Sequence, residues 1–241
     1  MIVAIDGPAG AGKSTVARAV ARRLGVAYLD TGAMYRALTW LAAQRGIAPS
    51  DAEALAALAR DEPIEVEPTD DGDRVSIAGM DVTAAIRAPE VAARVSEVSA
   101  HPGVRERMVD AQRAVMASGS WVSDGRDVGS VVVPGAELKV FLTASLEERA
   151  RRRHADLAHR GVAMELDRVL EDVRRRDHID STRAASPLRV ADGAIVVDSS
   201  ELDAEEVADL IVRLVEDLRA AARTGGRCCC HARFFREATC S

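Results

Sequence analysis

The sequence predicts an α/β fold, a three-layer α/β/α protein in which helices cover both faces of a parallel central sheet. Two observations support this prediction. Short apolar runs of strand length alternate with longer segments of helical periodicity, which is typical of parallel sheets. Between the first strand and the first helix, residues 7–14 also have the glycine spacing of a phosphate-binding loop, or P-loop.

The predicted elements follow one another in that order. The apolar run at residues 2–5 predicts a first strand over 2–6, and similar runs predict strands near 26–29, 121–124, 138–142 and 194–197. Apolar residues spaced three and four apart predict helices at about 13–24, 32–45, 51–59, 89–100, 103–117, 145–160, 164–178 and 203–222. We expect Ser200 or Asp203 to cap the last helix.

One segment, residues 62–87, interrupts the alternation of strands and helices. Apolar and polar residues alternate in two short runs, 64–67 and 74–77, and polar turn residues separate them. This pattern is typical of a hairpin, so we predict a small antiparallel insert.

Composition limits the classes of protein to which the chain can belong. Its 241 residues suit one core with embellishments, and no apolar run approaches the length of a membrane span. The chain starts directly with a predicted strand rather than a secretory leader, so we expect a cytoplasmic location without a membrane partner. The net charge of −6 argues against a nucleic-acid partner.

The last residues differ in character from the rest. Residues 223–241 show neither helical nor strand periodicity, and we predict a disordered tail without a role in the mechanism. All four cysteines lie there, which indicates a reducing compartment and no disulfide framework. Cys228, Cys229 and Cys230 are adjacent and precede His231, but they lack the separation of structural zinc ligands, so we predict no zinc site.

The P-loop is the most informative motif. Its sequence G-P-A-G-A-G-K-S follows a strand and opens a helix, so backbone N–H groups and the helix dipole point at an anion. Lys13 would supply charge at the β- and γ-phosphates, and the Ser14 hydroxyl would bind Mg²⁺. The residues expected to bind ATP are Gly7, Pro8, Ala9, Gly10, Ala11, Gly12, Lys13, Ser14 and Thr15.

A second polar turn opens the next helix. Asp30, Thr31 and Gly32 offer a hydroxyl and helix N-terminal amides, and Arg36 follows one turn later. These groups suit a second phosphate. The same residues also fit an ordinary N-cap with an exposed arginine at position 36.

Residues 123–129 follow a predicted strand, at the sheet edge where α/β proteins bind ligands. Asp124 is a candidate to hold Mg²⁺ through water, Arg126 to clamp a phosphate, and Asp127 to accept hydrogen bonds from a base amine. The alternative is a hydrogen-bonded turn with an internal arginine–aspartate pair.

Two predicted helices are rich in arginine, and we expect them to form a mobile lid over about residues 148–180. Phosphoryl transfer needs cations around the transferring group and exclusion of water, and such a lid supplies both. Arg149, Arg152 and Arg153 share one helix face by their spacing and could reach a common target. The alternative is a solvated face on which these arginines pair with neighbouring acids.

Taken together, these motifs resemble those of bacterial cytidylate kinases, a family of nucleoside monophosphate kinases. The resemblance covers about residues 1–220 and lies in G-P-A-G-A-G-K-S, L-D-T-G-A-M-Y-R, I-R-A-P-E-V, H-P-G-V-R, S-D-G-R-D-V-G, F-L-T-A-S-L-E-E-R-A-R-R-R and R-R-D-H-I-D-S-T-R. It implies one kinase domain over 1–222, with a monophosphate-binding insert. It also implies Mg²⁺-dependent transfer of the ATP γ-phosphate to CMP or dCMP.

The resemblance also implies roles for individual residues. Thr31, Arg36 and Arg126 would lie near the acceptor phosphate, Ser96, Arg105 and Asp127 would read cytosine, and Arg176, Asp180 and Arg183 would hold the acceptor's ribose and phosphate. The expected catalytic residues are Lys13, Arg126, Arg149, Arg153 and Arg176.

Two other interpretations stay open at this point. The acceptor of the same fold could be UMP, AMP or shikimate, because a fold does not determine its substrate. A non-catalytic nucleotide switch would need no acceptor site. The expected partners are small nucleotides only, and we expect a monomer.

Overall fold

The computed structural model describes residues 1–67, 69 and 73–223. The cysteine cluster and residues 224–241 of the predicted tail lie outside these residues, whereas Arg223 is the last residue of a helix. Eight strands are described: β1 (Ile2–Asp6), β2 (Ala27–Asp30), β3 (Ile64–Glu67), β4 (Arg74–Ile77), β5 (Met80–Asp81), β6 (Trp121–Gly125), β7 (Leu138–Thr143) and β8 (Ile195–Asp198). The α-helices are α1 (Lys13–Leu24), α2 (Thr31–Gln44), α3 (Ala52–Asp61), α4 (Pro89–Val98), α5 (Pro102–Val115), α6 (Leu146–His159), α7 (Leu166–Thr182) and α8 (Ala204–Arg223).

The central sheet has the strand order β2-β6-β1-β7-β8, and every pair in it is parallel. Both faces of β1 are buried: Val3 and Ile5 pack toward α1 and α8, and Ala4 packs toward α2. Such burial explains why the strand is a continuous apolar run. The predicted three-layer fold is confirmed.

The helix boundaries agree with the sequence prediction to within two residues, apart from the C-terminus of α7. That helix ends at Thr182 rather than near residue 178. The hydroxyls of Ser181 and Thr182 donate to the carbonyls of Asp177 and His178, so both side chains are accommodated in the last turn. Asp203 caps α8 by accepting from two backbone N–H groups, as one of the two predicted caps.

The predicted insert is an antiparallel sheet of order β3-β4-β5. Strands β3 and β4 pair as expected, and the two-residue β5, too short for a sequence pattern, was not predicted. Val75 and Ile77 of β4 are buried against α2, which attaches the insert to the main core.

Helices α6 and α7 form a hairpin with a small core of its own, made by Ala150, Leu157, Val169 and Val173. This hairpin, called the α6–α7 hairpin below, contains the residues of the predicted lid. Among the described residues, no helix combines the length and the apolarity needed to cross a bilayer.

Candidate active site

A cleft of about 830 Å³ opens at the carboxyl ends of β1, β2 and β6, between α4 and the α6–α7 hairpin. Most of the residues predicted from sequence line it: Ala9, Gly10, Ala11, Gly12, Lys13, Ser14, Thr15, Thr31, Arg36, Ser96, Arg105, Asp124, Arg126, Asp127, Arg153, Arg176, Asp180 and Arg183. Gly7, Pro8 and Arg149 do not line the cleft. The topology therefore brings both predicted substrate sites into one cavity.

The P-loop has little space for side chains. A Cβ on Gly7 would lie 2.0 Å from the carbonyl oxygen of Leu142, so only glycine fits there. Lys13 is buried, and its Nζ donates to the carbonyl of Pro8 at 2.8 Å. Burial, and then the charge of Arg126, lower the pKa of Lys13 to about 7. Among the residues that the structure describes, Lys13 has no ion pair with a carboxylate, so an anionic ligand would both pair with it and favour its protonated form.

Asp124, the second-last residue of β6, is a buried carboxylate with both oxygens hydrogen-bonded. Tyr28 donates to Oδ1 at 2.6 Å, and Ser14 donates to Oδ2 at 2.9 Å. Burial and the neighbouring Asp30 raise the pKa of Asp124. A hydroxyl and a carboxylate at this distance, beside a P-loop, are oxygen ligands of the kind that Mg²⁺ accepts together with phosphates. The residues present therefore fit the predicted metal.

The turn at Asp30 forms the N-cap that one interpretation expected, but Arg36 is partly buried rather than exposed. Asp30 Oδ1 caps α2 by accepting from the N–H of Ala33, and Arg36 donates to Oδ2 at 2.6 Å. Burial acts to raise the pKa of Asp30, but Arg36 lowers it below the ordinary value. Arg36 also lines the cleft, so a phosphate would compete with Asp30 for the guanidinium.

At the far end of the cleft, Asp127 forms an internal ion pair. Arg105 donates to Asp127 Oδ2 at 2.6 Å and to the carbonyl of Ser99 at 3.1 Å. Arg183 lies 3.8 Å from Asp127 Oδ1, and the side chains of all three residues are at most 6% exposed. Asp127 thus pairs with Arg105 on α5 and not with Arg126, so the internal pair that the sequence allowed within residues 123–129 was the wrong pair. Arg126 instead donates to Asp180 at 2.8 Å.

The loop that carries Arg126 and Asp127 depends on a residue that was not predicted. The carboxylate of Asp6, at the end of β1, accepts from the N–H groups of Val128 and Gly129 at 2.8 and 2.7 Å. Burial raises the pKa of Asp6 to about 6. Its position immediately before the P-loop, at a sheet edge where polar residues cluster, was a usable signal.

The expectation that Arg149, Arg152 and Arg153 reach a common target is wrong. Arg149 contacts the carbonyls of Ala144 and Ala9, whereas Arg152 contacts Ser199 and Arg153 pairs with Asp156 at 3.0 Å. Helical spacing defines a shared face, but each long side chain reaches a different acceptor around it. Arg149 also forms an ion pair with Asp177 on α7, so it joins the hairpin to the P-loop backbone.

Arg176 differs from its neighbours on α7. Arg175 pairs with Asp172 at the surface, whereas Arg176 faces the cleft and has no ion pair in the part of the chain that the structure describes. Burial, followed by the charge of Arg126, lowers the pKa of Arg176 to about 10. Arg126 and Arg176 therefore form a cationic centre between the P-loop and the Arg105–Asp127 pair.

Some residues that line the cleft were missed by sequence reasoning, among them Arg18, Tyr35, Arg87 and residues 199–204. Arg18 lies four residues after Ser14 on α1, so helical spacing was a usable signal. Residues 199–204 follow the carboxyl end of β8, where the topology rule for parallel sheets predicts ligand contacts. Tyr35 belongs to the motif L-D-T-G-A-M-Y-R, but no role was expected for it; its ring lies 5.1 Å from the guanidinium of Arg105.

The fold and the cleft define a class of protein, a P-loop kinase that transfers a phosphoryl group to a small acceptor. Comparison with known proteins identifies the family within this class. The family profile described as Cytidylate kinase matches residues 3–217, and the chain therefore belongs to the cytidylate kinase family.

Individual relatives agree with this assignment. A cytidylate kinase of Geobacillus sp. (strain WCH70) is 49% identical over 215 residues, which are 89% of this chain and 96% of that protein. A cytidylate kinase of Mycolicibacterium paratuberculosis (strain ATCC BAA-968 / K-10) is 49% identical over 224 residues, 92% of this chain and 98% of that protein. Among solved structures, the shikimate kinase of Bacteroides thetaiotaomicron has a TM-score of 0.45 at 16% identity and covers 90% of this chain and 98% of its own.

Proposed function

We propose that the protein transfers the γ-phosphate of ATP to CMP or dCMP, giving ADP and CDP or dCDP, by in-line transfer with Mg²⁺. The observation that carries this proposal is a single cleft with a P-loop at one end and the buried Arg105–Asp127 pair at the other. Family membership supports the same activity.

The donor side begins with the P-loop. Backbone N–H groups of the loop and of the N-terminus of α1 would surround the β- and γ-phosphates, and Lys13 would add its charge where the bridging bond breaks. Mg²⁺, held through Ser14 and Asp124, would neutralise charge on the phosphate oxygens. Because Lys13 is already buried and directed by Pro8, little reorganisation is needed when ATP binds.

Arg126 and Arg176 are the proposed cations for the transferring group. Phosphoryl transfer spreads negative charge over the equatorial oxygens, and preformed cations in a cleft that excludes water stabilise it. Arg176 lines the cleft and has no ion pair with any other described residue, and Arg126 is held by Asp180. Arg36 and the Thr31 hydroxyl, at the opposite wall, would bind the acceptor phosphate.

Asp127, Arg105 and Ser96 are proposed to read the acceptor base. Cytosine presents an exocyclic amine beside a ring nitrogen and a carbonyl. A carboxylate can accept from the amine, and a guanidinium can donate to the ring nitrogen and the carbonyl. Arg105 and Asp127 already hold each other in place, so both groups are ordered before the base binds. Arg183 and Asp180, next to this pair, would contact ribose and phosphate.

A panel of acceptors tests the proposal. With Mg·ATP as donor, ADP release is measured for CMP, dCMP, UMP, AMP and shikimate. We expect CMP and dCMP to be used best, and Lys13→Ala to lower turnover by about two orders of magnitude or more with the fold intact. Preference for another acceptor would contradict the proposal, and ADP release independent of any acceptor would indicate a nucleotide switch.

A further inference from the structure

The backbone of Ala9, in the P-loop, is held from both sides by the α6–α7 hairpin. Its N–H donates to Asp177 Oδ1 at 3.3 Å, and its carbonyl accepts from Arg149 Nη1 at 3.1 Å. The same Nη1 also donates to Asp177 Oδ2, so each of the three residues contacts the other two. We call these three residues the Ala9 junction.

The Ala9 junction connects two parts of the molecule that have different proposed tasks. Ala9 belongs to the donor loop. Asp177 belongs to α7, directly after Arg176 and one turn before Asp180, which are proposed to act on the acceptor. Neither Asp177 nor Arg149 lines the cleft, although Arg149 was expected to be catalytic, so we expect both to act on the nucleotides through the residues that they hold.

Other contacts give the Ala9 junction a defined geometry. Arg149 Nε donates to the carbonyl of Ala144 after β7, so this guanidinium is fixed independently of Asp177. A Cβ on Gly10 would lie 2.8 Å from the carbonyl oxygen of Arg149, which shows how closely loop and helix approach. A shift of α7 must therefore break contacts with the loop, and a shift of the loop must break contacts with α7.

We propose that Asp177 is a positioning residue that couples the donor and acceptor sites of this kinase. By holding Ala9 and Arg149 together, it makes the P-loop and the acceptor-binding part of α7 adopt their positions jointly. A nucleotide that orders one of them then favours binding of the other nucleotide, because both ligands bias one shared element. The inference rests on the proposed function, since it needs two nucleotide sites.

The test is a binding cycle measured by calorimetry on the full chain. The Kd of CMP is determined alone and with saturating Mg²⁺ and β,γ-methylene-ATP, a donor analogue that does not transfer phosphate. For the wild-type protein we expect the analogue to tighten CMP binding about fivefold or more, within the usual range of allosteric coupling. For Asp177→Asn we expect the ratio of the two Kd values to fall to within about twofold of one.

A control on the same helix separates coupling from general damage. Glu171 pairs with Arg168 on the exposed surface of α7, and Glu171→Gln should keep the wild-type ratio. Arg149→Lys keeps the charge but shortens the reach to Ala9, and we expect an intermediate ratio. It also serves as the second variant if Asp177→Asn does not fold, as judged by circular dichroism.

The outcomes are distinct. A wild-type ratio of one, or a ratio unchanged in a folded Asp177→Asn or Arg149→Lys variant, would overturn the coupling role. The proposed function is judged separately, from whether the wild-type protein phosphorylates CMP. An active wild-type enzyme with an unchanged ratio in the variants would therefore refute only the role of Asp177.

Discussion

Asp127→Asn should weaken both the stability of the protein and its selection of cytosine. In the folded protein, Asp127 faces two arginines that are themselves buried, Arg105 at 2.6 Å and Arg183 at 3.8 Å. The amide keeps the size of the carboxylate and one hydrogen-bond acceptor, but it removes the negative charge. Both guanidinium groups then remain buried without this partner.

The distances indicate the size of the effect on stability. Unit charges about 4 Å apart attract each other by about 4 kcal/mol at an effective dielectric constant of about 20. Removing one partner of a buried ion pair costs about 3–5 kcal/mol. We expect the lower end, about 3 kcal/mol of unfolding free energy, because the amide oxygen still accepts from Arg105.

The effect on specificity has a separate cause. An amide N–H₂ can donate to the carbonyl that uracil carries where cytosine has its amine, so the substitution weakens CMP and favours UMP. A hydrogen bond to a charged group contributes about 1.5–3 kcal/mol, and the ratio of kcat/KM for CMP to that for UMP should therefore fall about tenfold to a hundredfold.

Urea unfolding and steady-state kinetics with both acceptors measure these effects. Asp61→Asn is the matched control, because Asp61 pairs with Arg60 on the exposed surface and should lose less than about 1 kcal/mol. An unchanged CMP:UMP ratio in Asp127→Asn would refute the proposal that this residue reads the base. A loss of stability no larger than that of the control would refute the estimate for the ion pair.

Three further predictions concern protonation and the α6–α7 hairpin. The pKa of Lys13 is about 7 without ligand, and a bound triphosphate should raise it, so ATP binding at pH 8 should take up close to one proton. The test is calorimetry of ATP binding in buffers of different ionisation enthalpy. Binding heats that are equal in all buffers would contradict the prediction. Burial raises the pKa of Asp6 from 3.8 to about 6, so its contribution to unfolding free energy should fall by about 2 kcal/mol as pH rises from 4 to 6. Urea titrations of the wild-type protein and Asp6→Asn should differ by that pH dependence. If the α6–α7 hairpin acts as the expected lid, Arg153→Ala should lower kcat more than it weakens ATP binding, because a closing lid would act mainly on the transition state; equal losses would instead indicate ground-state binding.

Much of the fold could be predicted because its signals are local. The apolar run of β1 and the glycine spacing after it identify the P-loop, and alternation at residues 64–67 and 74–77 identifies the hairpin of the insert. Strand β5 could not be predicted, because its two residues, Met80 and Asp81, provide no period to detect.

The site was predicted as a set of residues more successfully than as a set of contacts. Sequence spacing put Arg149 on the same helix face as Arg152 and Arg153, but it gave no information about what that face packs against. The partner of Arg105 is also a tertiary fact, because α5 and Asp127 meet only in the folded chain. Asp6 and Asp177 accept hydrogen bonds from backbone N–H groups of the site, a role that neither the position before the P-loop nor the motif around Asp177 predicted.

The parallel pairing of β1 has a consequence for how the protein folds. Ile2 pairs with Trp121, and Val3 pairs with Leu138, so the two strands beside β1 come from the far half of the chain. Contacts between residues so far apart in sequence form only after a long loop has closed, and loop closure costs conformational entropy. Topologies of this kind therefore fold slowly compared with helical proteins. No early fragment contains both walls of the cleft. Nucleotides present during refolding should therefore stabilise the completed sheet by mass action, and nucleotide binding would report the final step of folding.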